Sequence, residues 1–143
     1  MTAYLIAAGH DVTGIDQVPA MLRIARSRYP GARWLEQDIR DLDVDGAFDA
    51  ILSWDGFFHL TPNEQRRALP GLARRLAPKG RLLLTIGDAA SEVLGQVGGE
   101  DVYHASLDPE EYRVILERHG LDVSLTLCDP ASNGHSVLLA RRR

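Results

Sequence analysis

One cysteine, Cys128, stands in 143 residues. That excludes an internal disulfide and a cysteine-built metal cluster, and it suits a reducing cytoplasm. No apolar run approaches 18 residues, so no segment reads as a membrane span. The start, Met1-Thr2-Ala3-Tyr4, lacks the charged region of a signal peptide. There is no basic excess either. The formal net charge is -4, which gives no electrostatic footprint for nucleic acid. G-x-S-x-G is absent, and no cysteine–histidine pair has local support, so covalent catalysis has no carrier. His10, His119 and His135 have no i, i+4 partner, so no metal is assigned. The most telling absence lies upstream of Asp16. Only 15 residues precede it, with no glycine-rich loop among them.

What is present reads as one domain spanning residues 1–143. Hydrophobic residues make up 45% and charged residues 25%, enough for a buried core at this length. Thr2 to Ala8 reads as the end of a helix, capped by Gly9. His10 to Asp16 reads as a strand and Pro19 to Tyr29 as a helix. Val18, Met21, Leu22, Ala25 and Tyr29 share that helix's apolar face. Ala32 to Glu36 and Phe48 to Trp54 are further strands, the second apolar enough to be covered on both faces. Thr61-Pro62-Asn63-Glu64 is a capping box that opens a helix to about Ala77. Pro78-Lys79-Gly80 turns into a strand over Arg81 to Ile86. Gly87 to Leu107 is glycine-bearing and weakly periodic, and reads as a loop or lid. Asp108 opens a helix ending at His119-Gly120. Leu121 to Cys128 and Ser136 to Ala140 flank a connection too short for a crossover, so they must pair antiparallel. The terminal Arg141-Arg142-Arg143 reads as a solvated tail. The alternation predicts an α/β, Rossmann-like, mostly parallel sheet with helices on both faces and a C-terminal antiparallel hairpin.

Four places can carry chemistry. Asp16 ends a short strand, Val12-Thr13-Gly14-Ile15-Asp16, where a carboxylate accepts hydrogen bonds from ribose hydroxyls; the alternative is a plain turn residue. Asp38, beside Ile39, follows the next strand. It can accept an adenine amine while Ile39 packs on the ring, or it is a solvated turn acid among Asp41, Asp43 and Asp45. Trp54-Asp55-Gly56-Phe57-Phe58-His59-Leu60 leaves the carboxyl end of a strand, where open α/β sheets bind ligands. Its aromatics can hold a cation and exclude water, and His59 can remove a proton near neutrality. One of Phe57 and Phe58 can face the core while the other lines a pocket. Tyr103-His104 can contact an acceptor from above, or is a surface pair.

These segments together resemble the class I S-adenosylmethionine-dependent methyltransferases. VTGID with Gln17-Val18-Pro19-Ala20-Met21 resembles the family's second strand, ribose acid and following helix. Gln37-Asp38-Ile39 resembles its adenine-contacting acid and neighbour. FDAILSWDGFFHL resembles its fourth strand and the segment facing the methyl donor, RRLAPKGRLLLTI its helix, turn and fifth strand, and the terminal hairpin its sixth and seventh strands. The resemblance implies S-adenosylmethionine as cofactor, bound by Asp16, Gln17, Met21, Asp38, Ile39, Trp54 and Asp55. It implies a small-molecule acceptor held by Phe57, Phe58, Tyr103 and His104, with His59 as base. It also implies a partial domain lacking the family's first strand and glycine loop, about 40 to 60 residues. The two strands that flank the missing one are then expected to pair directly, to recruit a second copy as a homodimer, or to belong to a longer chain. Val18 stands where a Ser or Thr cap is common, so one helix donor is expected to lack its partner. Two other readings remain: a non-catalytic binding or oligomerisation module, and a nicotinamide-dependent oxidoreductase, whose ribose acid would sit at the same place. Against the latter stand the Pro-Lys-Gly turn, the terminal hairpin and the lack of Tyr-x-x-x-Lys.

Overall fold

The structure is a computed structural model that describes residues 1–127 and 135–143. Cys128 and the expected connection over 129–134 lie outside the described residues. The chain forms two compact units, Met1–Asp43 and Val44–Arg143.

The smaller unit holds α1 (Thr2–Ala7), β1 (Thr13–Asp16), α2 (Pro19–Arg28), β2 (Arg33–Glu36) and a 3-10 turn at Ile39–Asp41. Gly9 takes φ 83°, the left-handed cap read from the sequence. β1 begins at Thr13, later than expected, and pairs parallel with β2 through Thr13↔Arg33 to Asp16↔Glu36. Pro19 opens α2, where a missing N–H costs nothing. Val18 provides no side-chain cap. The Asp16 carboxylate accepts the Val18 N–H instead. The apolar face of α2 is narrower than the spacing suggested. Leu22 is buried and Ala25 and Tyr29 are half-buried, but Val18 and Met21 are exposed. A two-stranded ribbon is too narrow to cover the full stripe.

The larger unit holds β3 (Phe48–Ser53), a 3-10 turn at Phe57–His59, α3 (Pro62–Arg75), β4 (Leu76–Gly87), β5 (Ser91–Val97), β6 (Glu100–Ser106), α4 (Pro109–Arg118), β7 (Leu121–Leu127) and β8 (His135–Arg142). Its main sheet has the order β3-β4-β8-β7. β3 and β4 are parallel, and β8 lies antiparallel between β4 and β7. The terminal hairpin is therefore as expected. The sheets are mixed, however, rather than mostly parallel: β5 and β6 add a third antiparallel pair. Among the described residues β1 has β2 as its one ladder neighbour and β3 has β4. Each keeps an open edge. β3 is correspondingly less covered than its apolar run implied, with Asp49 and Ala50 exposed.

Two segments differ from the sequence reading. Pro78-Lys79-Gly80 is a bulge inside β4, not a turn before it. The β3 register jumps from Phe48↔Leu76 to Ala50↔Arg81 around it, and Lys79 takes φ 65°. Within the segment read as a loop or lid over residues 87–107, residues 91–106 form a β-hairpin. Gly98 and Gly99 have φ 61° and 89° and close it in two residues, the pattern of a type I′ turn.

The core lies where α3 and α4 meet the main sheet. α3 buries Gln65, Ala68, Leu69, Leu72 and Ala73 along one stripe. Leu82, Leu84, Leu116, Leu121 and Leu138 are fully buried as well. The capping box forms as read: Glu64 N–H donates to Thr61 Oγ1 at 3.3 Å, and Thr61 N–H to Glu64 Oε2 at 2.9 Å.

The arginine terminus is not a solvated tail. Arg142 Nη1 donates to the carbonyls of Ala73, Arg74 and Leu76 at 3.2, 3.2 and 2.6 Å. It thus satisfies the orphan acceptors at the carboxyl end of α3 and places its charge at the negative pole of that helix. Arg143 pairs with Asp122 at 2.8 Å. Arg142→Ala is expected to destabilise the fold by about 1–2 kcal/mol, read as a lower urea midpoint with an unchanged slope.

Candidate functional site

In the smaller unit the site residues gather where β1 and β2 end. Asp16 Oδ1 accepts from Val18 N–H at 2.8 Å. The same strand end is tied to β2 by Gln37 N–H donating to the Asp16 carbonyl at 3.1 Å. The carboxylate is thereby oriented by the backbone, and Oδ2 has no partner among the described residues. One carboxylate oxygen of Asp16 thus makes the local turn. Asp38 caps the 3-10 turn by accepting Arg40 N–H at 2.9 Å. Its carboxylate is also forked by Arg40 Nε and Nη2 at 2.5 to 2.8 Å. Arg40 Nη2 donates in addition to Gln17 Oε1 at 3.3 Å. Gln17 and Asp38 are thus brought together through a residue the sequence reading missed. Its one signal was position, two residues after an acid at a turn. Ile39 is half-buried beside them, and Met21 is exposed on α2.

In the larger unit Trp54 is 50% exposed at the end of β3. Asp55 follows with φ 52°, a left-handed conformation that Asp tolerates better than most residues. Its N–H donates to Thr85 Oγ1 of β4 at 2.8 Å. Of the two phenylalanines, Phe57 faces the core, 1% exposed and 6.5 Å from the Tyr112 ring. Phe58 faces outward against two imidazoles, with ring centroids 4.8 Å from His59 and 5.1 Å from His104. The two histidines are 5.0 Å apart. His59 Nδ1 meets the Tyr103 carbonyl at 3.0 Å. A carbonyl can only accept, so the neutral ring carries its proton on Nδ1 and leaves the Nε2 lone pair free. The hairpin therefore supplies both His104 and the oxygen that fixes the His59 tautomer. The Tyr103 hydroxyl is shielded from solvent and finds no hydrogen-bond geometry among the described residues. Burial, then the nearby Glu92 carboxylate, pushes its pKa above the ordinary phenol value.

A buried polar network holds this cluster. Gln65 Nε2 donates to the carbonyls of Leu60 and Ala105, both at 2.9 Å. Tyr112 donates to Gln65 Oε1 and lies 3.3 Å from Ser106 Oγ. Burial raises the Tyr112 pKa, which keeps it a donor. Gly87 N–H donates to Ser106 Oγ at 3.0 Å. α3, α4, β4 and β6 thus meet at one satisfied polar point. Neither Gln65 nor Tyr112 was picked out from the sequence. Among the described residues no three His, Cys, Asp or Glu side chains group as metal ligands. No helix among them is long and apolar enough to cross a membrane.

Comparison with known proteins bears on what these residues serve. A family model described as a methyltransferase domain matches residues 1–80. A methyltransferase of Bacillus cytotoxicus is 33% identical over 140 residues, covering 88% of this chain and 66% of that protein. Demethylmenaquinone methyltransferase of Thermus thermophilus is 42% identical over 83 residues, 54% of this chain and 37% of that one. The chain spans about half the length of the curated relatives it matches. Among solved structures, a SAM-dependent methyltransferase from Methanosarcina mazei superposes with a TM-score of 0.82 at 16% identity, over 99% of this chain and 86% of that one. The family match covers the strand ending at Asp16, the Asp38 turn and β3 with its aromatic exit, the same segments that carried the resemblance; this chain belongs to the class I S-adenosylmethionine-dependent methyltransferases.

Proposed function

We propose that this chain carries the site of a methyltransferase that uses S-adenosylmethionine and acts on a small-molecule acceptor. The observation that carries the reading is the Asp16 carboxylate, held by Val18 N–H at 2.8 Å with its second oxygen left to accept. That is the chemistry a ribose diol needs. Gln17 and Ile39 border the same strand ends. Asp38 fits less simply, because Arg40 already fills its acceptor sites. When bound, S-adenosylmethionine supplies a methyl group on a sulfonium. The chain's own residues then position and desolvate the acceptor, where most of the rate would arise. Trp54 and Phe58 offer aromatic faces to a cation or ring. His59 takes the acceptor's proton at Nε2, its tautomer set by the Tyr103 carbonyl. The net charge of -4 and a relative named for demethylmenaquinone support a small acceptor over nucleic acid.

The test is calorimetric titration of S-adenosylhomocysteine, with NADH as control. Micromolar binding without NADH binding supports the reading. Asp16→Ala is expected to weaken it by more than about 10-fold, a loss of about 1.4 kcal/mol. Asp16→Asn keeps an acceptor for Val18 N–H, so a comparable loss there separates ribose contact from helix capping. A folded wild type that gives no heat at millimolar ligand sinks the reading in favour of a non-catalytic module.

A further inference from the structure

Asp38 is crowded by its own neighbour. A carboxylate offers about four lone-pair sites. Arg40 fills them with its backbone N–H at 2.9 Å, Nε at 2.8 Å to each oxygen, and Nη2 at 2.5 Å. The donor lies only two residues away, so the fork forms at little entropic cost. Gln17 Oε1 steadies the same guanidinium from the end of β1. The fork is not sealed, however. The two side chains are 32% and 34% exposed, so water and a ligand can reach and exchange with it.

We infer that Arg40 is a positioning residue that withholds Asp38 from a purine's 6-amino group and so keeps base selectivity low. The inference rests on the cofactor reading above. With the fork in place, an adenine amine must displace a charged donor to gain one hydrogen bond. A 6-oxo purine loses nothing by comparison, so the site discriminates little between adenine and hypoxanthine. Removing the guanidinium frees the carboxylate to accept the amine and to repel a 6-oxo group.

The experiment titrates S-adenosylhomocysteine and its 6-oxo counterpart, S-inosylhomocysteine, into the wild type, Arg40→Ala, Arg40→Lys, Asp38→Asn and the Asp38→Asn/Arg40→Ala double variant. The wild type is expected to bind the two ligands within about 2-fold. Arg40→Ala is expected to bind the adenosyl form about 5- to 10-fold more tightly, the worth of one freed hydrogen bond, and to prefer it by a similar factor. Asp38→Asn is expected to change wild-type binding by less than about 2-fold and to abolish the gain in the Arg40→Ala background. Arg40→Lys, which keeps a cation without the fork, is expected to fall between the wild type and Arg40→Ala in 6-amino preference. A merely structural Arg40 would shift both ligands equally. Strong 6-amino preference in the wild type, or unchanged or weaker adenosyl binding in Arg40→Ala, overturns the inference while leaving the cofactor reading intact. Folded proteins that bind neither ligand overturn both.

Discussion

Gly14→Ala is expected to unfold the smaller unit and to disturb the strand end that carries Asp16. Gly14 stands opposite Trp34 in the β1–β2 register. A Cβ at residue 14 would lie 2.1 and 2.3 Å from two carbons of the Trp34 ring. No methyl–aromatic contact survives at that distance, so either the ring or the strand must move. The ring is not free to move. Its Nε1 donates to the Tyr29 carbonyl at 3.0 Å, and its centroid is 6.4 Å from the Tyr29 ring. The strand has little to hold it in place, because a two-stranded ribbon is marginal on its own. Overpacking typically costs about 1–3 kcal/mol and occasionally more, and this clash sits at the upper end, at about 3 kcal/mol. Urea denaturation of this variant measures it. The partner variant Trp34→Leu removes the obstructing ring, so Gly14→Ala should cost markedly less in that background. A cost below about 0.5 kcal/mol in the otherwise native chain, the range of an indifferent surface change, sinks the argument. Asp16 lies two residues along the same strand, so S-adenosylhomocysteine binding should fall in parallel with stability.

Gly14 also shows where sequence reasoning reached its limit. VTGID was legible as a strand ending in an acid, because local apolar character and the following Pro19 mark both ends. The reason for glycine inside it was not, since it depends on a tryptophan 20 positions away that the register places opposite. The same split runs through the fold. Elements with strong local signals came through: the Thr61–Glu64 box, the Gly9 cap, and the antiparallel terminal pair forced by a short connection. The hairpin of residues 91–106 did not, although Gly98-Gly99 is a two-residue hairpin signal. Gly95 interrupts the alternation that would have marked the first strand, and its place is set by His104, whose Nδ1 would lie 3.2 Å from a Cβ there. That missed hairpin adds a separate antiparallel pair to a main sheet already mixed through β8.

At the site, residue types were legible and pairings were not. An acid at a strand end, and aromatics with a histidine at a strand exit, can be read from one dimension. That Phe58 rather than Phe57 faces outward depends on Tyr112, distant in sequence. That Asp38 is forked depends on the rotamer of Arg40. That His59 has a defined tautomer depends on a carbonyl 44 residues downstream. Arg141 to Arg143 read as a tail because composition alone cannot show that α3 ends beside them.

Gln65 carries the second large expected effect, and it bears on the histidine cluster. It is the one polar member of the buried α3 stripe and is 0% exposed. A glutamine at a core position was a visible anomaly in a stripe of Ala and Leu, and its partners explain it. Nε2 serves the carbonyls of Leu60 and Ala105, and Oε1 accepts from Tyr112. Leu60 directly follows the turn that carries His59, and Ala105 directly follows His104. One side chain therefore joins the two segments whose imidazoles stand 5.0 Å apart. Gln65→Leu is close in volume but strips the side-chain donor from two carbonyls and the acceptor from the Tyr112 hydroxyl, which keeps Ser106 Oγ and the Leu107 N–H at 3.3 Å. At roughly 1–3 kcal/mol for each buried group left unsatisfied, offset by the apolar gain and some water entry, the net cost should be about 3 kcal/mol. Tyr112→Phe, which orphans Gln65 Oε1 and takes the acceptor from the Leu107 N–H, should cost about 2 kcal/mol. Equilibrium denaturation ranks the two, and equal costs would mean that the carbonyl bonds contribute nothing. The local consequence is separable from the global one. In Gln65→Leu, amide exchange across residues 100–106 should accelerate more than in β8, because the hairpin loses its anchor while the main sheet keeps its ladder. The His59 Nδ1 proton, held by the Tyr103 carbonyl, should exchange faster as well. Uniform acceleration in both sheets would instead place Gln65 in the general core, with no special hold on the segment that sets His59.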